Sequence, residues 1–273
     1  MNDQIRKRNI RDMFDVVSAG YDKPALRFFA HAADCLAERM GLSGGEHVLD
    51  VACGTGAVAL ACARRLPDGR VTGVDLSEGM LDRARSKAQE QSLYNLSFQC
   101  ADLESMNAGA NAFDAACCGF GIFFFADMNF AFRAIAGQVR QGGAIGISSF
   151  SGDFMEPLSG LFIDRIRQYN VEVPPLAWKR LDDTAKHHEL YASSGIDDVD
   201  TCPIQLGYYL SGFDDWWDIL NYSGYRGLLN QLSADDLNRF RQQHRSEIEA
   251  KATGSGLWLD VEVLISVGKL PRT

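Results

Sequence analysis

The chain has 273 residues and is 46% hydrophobic, enough for one large α/β domain with a substantial core. Its 27 basic and 36 acidic residues leave a formal net charge of −9. That balance disfavours a nucleic-acid partner, which is held chiefly by Lys and Arg neutralising phosphates. The longest apolar runs fall short of the roughly 20 residues that cross a bilayer. The charged start, M-N-D-Q-I-R-K-R, lacks the apolar centre of a secretory signal, so a cytoplasmic protein without a transmembrane segment is expected. The seven cysteines have no metal-type spacing and read as small buried hydrophobes.

In chain order, residues 5–20 carry an amphipathic pattern around Ile10, Met13, Phe14 and Val17. A second helix is expected after Lys23, with Pro24 at its first position and Leu26, Phe29, Ala33, Leu36 and Met40 on its apolar face. Residues 1–45 together form a helical cap. Strands then read at 46–52, 70–75, 95–100, 113–118 and 143–150, separated by helices near 57–66, 77–90 and 127–138. Strands alternating with helices imply parallel βαβ units with helices on both faces, so 46–150 reads as a doubly wound cofactor-binding core. Residues 151–186, with Pro157, Pro174 and Pro175, interrupt the alternation. A helix near 183–194 and a strand near 199–210 follow. Residues 213–250 are helical and rich in aromatics, and a strand from Leu257 to Val267 closes the chain. The segments 151–186 and 213–250 are read as covers over the binding face of one domain spanning 1–273.

The chemistry concentrates at V-L-D-V-A-C-G-T-G-A, residues 48–57. An apolar strand ends in Asp50, turns through Ala52, Cys53, Gly54, Thr55 and Gly56, and enters a helical pattern. The glycines let backbone approach a ligand closely. Gly54, Gly56 and Ala59 fit G-x-G-x-x-A, a pattern also used by nicotinamide and flavin enzymes. Asp75, nineteen residues after Gly56, suits a ribose diol in either class. Three features separate the classes. Asp50 suits a cationic ammonium. Asp102, with Ala101 and Leu103 beside it, suits an adenine amino group and ring. F-D-A-A-C-C-G-F-G from Phe113 runs a fourth strand into a loop at Gly119 and Phe120, facing the reacting end of the ligand.

On these residues, and on the Q-G-G turn at 141–143, the chain resembles the class I S-adenosylmethionine-dependent methyltransferases. The resemblance extends over roughly residues 15–150. Within that superfamily it looks most like the small-molecule group around the ubiquinone and menaquinone C-methyltransferases. Tyr21-Asp22 matches that group's Y-D, and F-D-A-x-x-x-x-F-G matches at 113–121. Ile122-Phe123-Phe124 replaces the group's L-R-N, so the quinone specificity does not carry over. The resemblance implies a mostly parallel seven-stranded sheet and S-adenosylmethionine as cofactor, with no metal. It implies contacts from Tyr21, Asp50, Ala52, Cys53, Gly54, Thr55, Gly56, Asp75, Leu76, Met80, Ala101, Asp102, Leu103, Gly119 and Phe120.

In-line methyl transfer needs alignment and exclusion of water more than it needs a strong acid or base. A general base is required only for a protonated nucleophile. Tyr21, His187, His188 and Tyr191 are the candidates; the histidines read better as an exposed helix end. His31 and His47 read as cap and core-edge residues. The acceptor pocket is expected to draw on Phe120, Phe123, Phe124, Trp216, Trp217, Tyr222 and Tyr225, which favours an apolar or aromatic small molecule. Carbon, oxygen and nitrogen acceptors stay open. So do two rival readings, a nicotinamide-dependent oxidoreductase and a cofactor-binding homologue that does not methylate. Asp214, Asp215 and Asp218 read as a solvated helix start, where negative charge suits the dipole.

Overall fold

The computed structural model describes residues 3–104, 106, 109 and 111–272. Two helices come first, α1 (Asp3–Val17) and α2 (Phe28–Arg39). Then β1 (His47–Val51), β2 (Arg70–Asp75), β3 (Leu96–Cys100), β4 (Phe113–Gly119) and β5 (Val139–Phe150) alternate with α3 (Ala57–Ala63), α4 (Glu78–Glu90) and α5 (Met128–Ala136). The remainder runs α6 (Leu158–Arg167), α7 (Thr184–Ala192), β6 (Val199–Gln205), β7 (Tyr208–Leu210), α8 (Phe213–Asn221), α9 (Arg226–Leu229), α10 (Ala234–Glu249), β8 (Leu257–Leu259) and β9 (Glu262–Lys269).

Seven strands form one sheet in the order β3-β2-β1-β4-β5-β9-β6. The pairs from β3 to β5 are parallel, and β9 runs antiparallel to both β5 and β6. Neighbouring residues of one strand feed opposite faces. Val48 packs with α2 and α3, whereas Leu49 packs with α5 and α7. A strand buried on both sides has no polar face, which explains the near-continuous apolar runs in the sequence. Ser77 and Asp127 fix the starts of α4 and α5, accepting from the Met80 and Phe130 amides at 3.1 and 2.9 Å. The order of strands reverses between β1 and β4, which opens a crevice at their carboxyl ends.

Several boundaries differ from expectation, and β5 opens at Val139, so that it takes in the 141–143 segment expected as a turn. Pro24 opens a 3-10 turn, Pro24–Leu26, because the Arg27 amide bonds back to the Pro24 carbonyl; α2 starts at Phe28. The strand expected over 199–210 breaks at Leu206-Gly207. There Gln205 Oε1 takes the Gly207 amide at 2.6 Å, and the chain leaves the large sheet to pair β7 with β8. The closing strand breaks in the same layer, at Asp260-Val261, so that β8 serves the small ladder and β9 the large sheet. No helix among the described residues is long and apolar enough to cross a membrane.

Candidate functional site

The loops after β1, β2, β3 and β4 converge on one cavity. Asp50, Ala52, Cys53, Gly54 and Thr55 line it from the first, and Asp75, Leu76 and Met80 from the second. Ala101, Asp102 and Leu103 come from the third, Gly119 and Phe120 from the fourth, and Tyr21 from the cap. Gly56 is the one expected cofactor residue outside the lining. Its φ is 80°, and a Cβ there would come within 2.9 Å of Ala84 Cβ, so this glycine lets the loop pack against α4. Gly54 differs. Its φ is 52°, and an added Cβ would meet nothing within 4 Å, which leaves open space beside a residue of the cavity wall.

Three carboxylates divide the cavity's polar work. Asp50 is fully buried. Its Oδ1 accepts from Cys117 Sγ at 3.5 Å, and its Oδ2 has no hydrogen-bond partner. Burial pushes this carboxyl up to about 7, because low dielectric penalises the charged form. Asp75 accepts from the Gly54 amide at 2.8 Å and the Ser77 amide at 2.9 Å. Burial raises its pKa too, with those amides acting in the opposite sense. Asp102 accepts from Lys7 Nζ at 2.7 Å and from the Glu104 amide at 3.1 Å.

Lys7 belongs to a wall that the sequence did not announce. Arg6, Lys7, Ile10, Arg11 and Phe14 of α1 all line the cavity. Asp15 anchors the helix by accepting from Ser77 Oγ at 2.5 Å and from the Gly79 amide at 3.1 Å, while Arg6 donates to the Phe124 carbonyl. The signal was the apolar face of α1. Of Ile10, Met13, Phe14 and Val17, only Val17 is buried in the protein; the other three turn toward cavities.

A second cavity, of about 530 Å³, adjoins the first. Phe14, Tyr21, Phe29, Phe120 and Phe124 line both. Phe120 stacks on Phe150 at 4.4 Å, and Phe150 on Phe154 at 3.8 Å, making a continuous aromatic wall. Phe120 holds φ at 54°, unusual for a bulky residue, with its amide bonded to the Ser148 carbonyl at 3.0 Å. The segment 174–178 and Tyr225 and Leu228 close the other side. Among the described residues, no Asp, Glu, Lys, Arg or His lines this cavity.

Of the residues expected at an acceptor pocket, Phe120, Phe123, Phe124 and Tyr225 line this second cavity, and Trp216, Trp217 and Tyr222 do not. Trp216 is fully buried and donates to His244 Nε2 at 2.9 Å. Trp217 stacks on Phe213 under the Arg241 guanidinium. Tyr222 packs against Gly20, and Lys23 Nζ sits 4.7 Å from its ring centre. The helical period of α8 turns Phe213 and Trp216 inward and leaves Trp217 half-buried on the outer side, so the part of this cover that reaches the cavity is the 223–231 segment.

The base candidates also separate. His187 is fully buried, not exposed at a helix end; its ring lies 2.7 Å from both Ser149 Oγ and Ser266 Oγ, and burial lowers its pKa to about 4. Tyr191 is buried with its hydroxyl donating to the Ile145 and Ser266 carbonyls at 3.0 and 2.9 Å. Both tie β5 to β9 and α7, away from either cavity. His188 is exposed, and Tyr21 alone of the four lines the site. Asp214, Asp215 and Asp218 go to Arg241 and Arg245, to the Ser211 amide, and to Lys23. Cys53, Cys62, Cys117 and Cys118 are buried, Cys35 and Cys202 half-buried, and Cys100 exposed.

Comparison with known proteins adds the family. A family model described as a methyltransferase domain matches residues 48–143. An aklanonic acid methyltransferase from Streptomyces sp. (strain C5) is 30% identical over 182 residues, 66% of this chain and 83% of that protein. A ubiquinone/menaquinone biosynthesis C-methyltransferase from Bdellovibrio bacteriovorus is 34% identical over 145 residues, 52% of this chain and 61% of that protein. Among solved structures, a putative methyltransferase from Bacillus halodurans superposes with a TM-score of 0.62 at 18% identity, over 89% of this chain and all of the other.

Proposed function

Because the chain belongs to the S-adenosylmethionine-dependent methyltransferases that act on small molecules, we propose that its smaller cavity holds the cofactor and its larger one an uncharged, apolar or aromatic acceptor. The observation that carries this reading is the seam of Phe14, Tyr21, Phe29, Phe120 and Phe124, which belongs to both cavities.

The donor set fits the cofactor. Asp50 Oδ2, buried and unpartnered, suits the ammonium group. The open space at Gly54 suits close approach of a ligand to backbone. Asp75 is a bidentate acceptor for the ribose hydroxyls, and Asp102 and Leu103 suit the adenine edge and ring. Ala52, Cys53, Thr55, Leu76, Met80, Ala101 and Gly119 shape the walls, while Gly56 acts on the loop from behind. When bound, S-adenosylmethionine supplies an electrophilic methyl group on a sulfonium.

The protein's part is placement. Tyr21 and Phe120 sit where the cavities meet, and α1 roofs the cofactor side against water. Fixing two reactants in line is worth up to ~7–11 kcal/mol of barrier, enough to carry most of the acceleration without a base. Tyr21, pushed well above the ordinary phenol range by burial and by Asp75 and Asp22, keeps its proton and is a poor base. The helical cap (1–45), the core (46–150) and the covers act as one unit in this scheme.

Calorimetry with S-adenosylhomocysteine and with NAD⁺ tests the reading. Tight binding of the first and none of the second supports it. The reverse order would restore the nicotinamide oxidoreductase.

A further inference from the structure

The two cavities reach the surface at different places. Six residues lining the larger one are exposed: Asn9, Pro174, Pro175, Gly224, Gly227 and Gln231. Among the residues lining the smaller one, Arg11 alone is exposed. Lys7, one helical turn before it, is half-buried and paired with Asp102 at 2.7 Å. None of the five seam residues is exposed, so neither opening lies where the cavities meet.

Helix α1 stands between the openings. At about 100° per residue, Lys7 and Arg11 fall on one flank and Asn9 and Met13 on nearly the opposite one. The first pair lines only the smaller cavity, and the second pair only the larger. The rim of the larger cavity is held open. An added Cβ at Gly224 or Gly227 would meet nothing within 4 Å, so no side chain of these two residues covers the gap. Gln231 Nε2 donates to the Glu172 carbonyl at 3.3 Å, which ties this side of the rim to the segment leading into Pro174 and Pro175. Asn9, Ser223 and Gln231 put uncharged polar groups at the rim, while Phe28, Phe150 and Phe154 are buried inside.

We propose that cofactor and acceptor use separate ports on opposite flanks of α1, so that spent cofactor is exchanged while the acceptor cavity stays occupied. This rests on the smaller cavity being the cofactor site and the larger the acceptor site. The cofactor passes Lys7 and Arg11, and the acceptor passes Gly224, Gly227 and the two prolines. Neither has to cross the aromatic seam. An acceptor then enters with its apolar end leading and leaves polar substituents beside Asn9 and Gln231, where water reaches them.

The test uses N-phenyl-1-naphthylamine, an uncharged dye that brightens in apolar surroundings, as the probe of the larger cavity. Its place there is checked with Ala177→Trp, which should exclude it. Tritiated S-adenosylhomocysteine, chased with unlabelled compound, reports on the smaller cavity. In wild type, saturating dye should change the release rate of S-adenosylhomocysteine by less than about twofold, and the dye signal should persist through the exchange. Gly227→Trp should slow both entry and release of the dye at least about tenfold, with S-adenosylhomocysteine release within about twofold of wild type. Gly224→Trp repeats the plug at the neighbouring open glycine, and melting curves show that both variants are folded. Dye that blocks S-adenosylhomocysteine release overturns the proposal, as do plugs that slow both ligands or leave dye entry unchanged. Dye that fails to bind wild type, or binds Ala177→Trp unchanged, overturns the acceptor reading of the larger cavity. Failure of S-adenosylhomocysteine to bind overturns the cofactor reading, and each failure is read on its own signal.

Discussion

Cys117 Sγ donates to one oxygen of Asp50 at 3.5 Å, and the other oxygen, fully buried, is left without a partner. A weak thiol donor does not offset the desolvation of a carboxylate, so the group holds its proton up to about pH 7. A bound ammonium would reverse that balance.

The consequence is a cofactor affinity that depends on pH. In the proposed site it is the charged form of Asp50 that pairs with the ammonium, so affinity for S-adenosylhomocysteine should rise from about pH 6 to about pH 8 and level off above the carboxyl's pKa. In the Asp50→Asn variant the rise should vanish and affinity at the upper end should fall at least about tenfold. Without ligand the sign inverts. The folded pKa lies above the ordinary value of 3.8, so the stability this group contributes is lost as pH rises from about 4 to about 7. Calorimetric titrations and melting curves over that range check both halves.

The two loop glycines should fail in different ways. Gly54→Ala puts a methyl group into open space at the cavity wall with φ at 52°. It should cost about 1–2 kcal/mol of backbone strain and remove cofactor binding. Gly56→Ala drives a methyl group to 2.9 Å from Ala84 and should lower the melting temperature more, with binding lost only in proportion to folding. Melting curves and titrations on both variants separate the roles.

Lys7 links the α1 roof to Asp102 and Glu104. Lys7→Ala should leave the sheet intact and loosen the roof, speeding dissociation of S-adenosylhomocysteine by about 3–10-fold, with less difference from wild type at high salt. Stopped-flow displacement measures it.

His187 and Tyr191 should matter for stability and not for binding. His187→Ala takes the buried Ser149 hydroxyl's partner away and leaves Ser266 Oγ only Thr201 Oγ1, at 2.7 Å, so it should cost about 2–3 kcal/mol with cofactor affinity unchanged. His187 and His244 both have pKa values lowered by burial from 6.5 to about 4, so the stability each contributes is present above pH 6.5 and is lost as pH falls toward 4. Acid melting curves should flatten over that interval in His187→Ala.

Local signals made the cofactor side legible. Strand, glycine turn and carboxylate lie within about a dozen residues at 48–60, Asp75 is the last residue of β2 and Asp102 follows the end of β3, so topology alone brings them together. The acceptor side depends on which way helices face, and that is a tertiary matter. Trp216 and Tyr225 have the same aromatic character in sequence, yet α8 turns Trp216 to His244 while the turn after it delivers Tyr225 to the cavity. His187 misled for the same reason. A histidine near the start of a helix reads as exposed until β5 and β9 supply the serines that bury it. The amphipathic pattern of α1 was legible, but periodicity does not say whether the apolar face meets a protein interior or a cavity.

Separate cofactor and acceptor cavities meeting at one aromatic seam can be tested in a single comparison. Ala177 lines only the larger cavity. Wild type and Ala177→Trp are each given S-adenosylmethionine carrying a labelled methyl group, together with an organic extract of cellular metabolites, and S-adenosylhomocysteine affinity is measured on the same preparations. Wild type should move label into an uncharged, organic-soluble product. Ala177→Trp should lose at least about 90% of that transfer, while its affinity for S-adenosylhomocysteine stays within about twofold of wild type. Undiminished transfer in Ala177→Trp, or loss of transfer and cofactor binding together, would contradict the two-cavity arrangement.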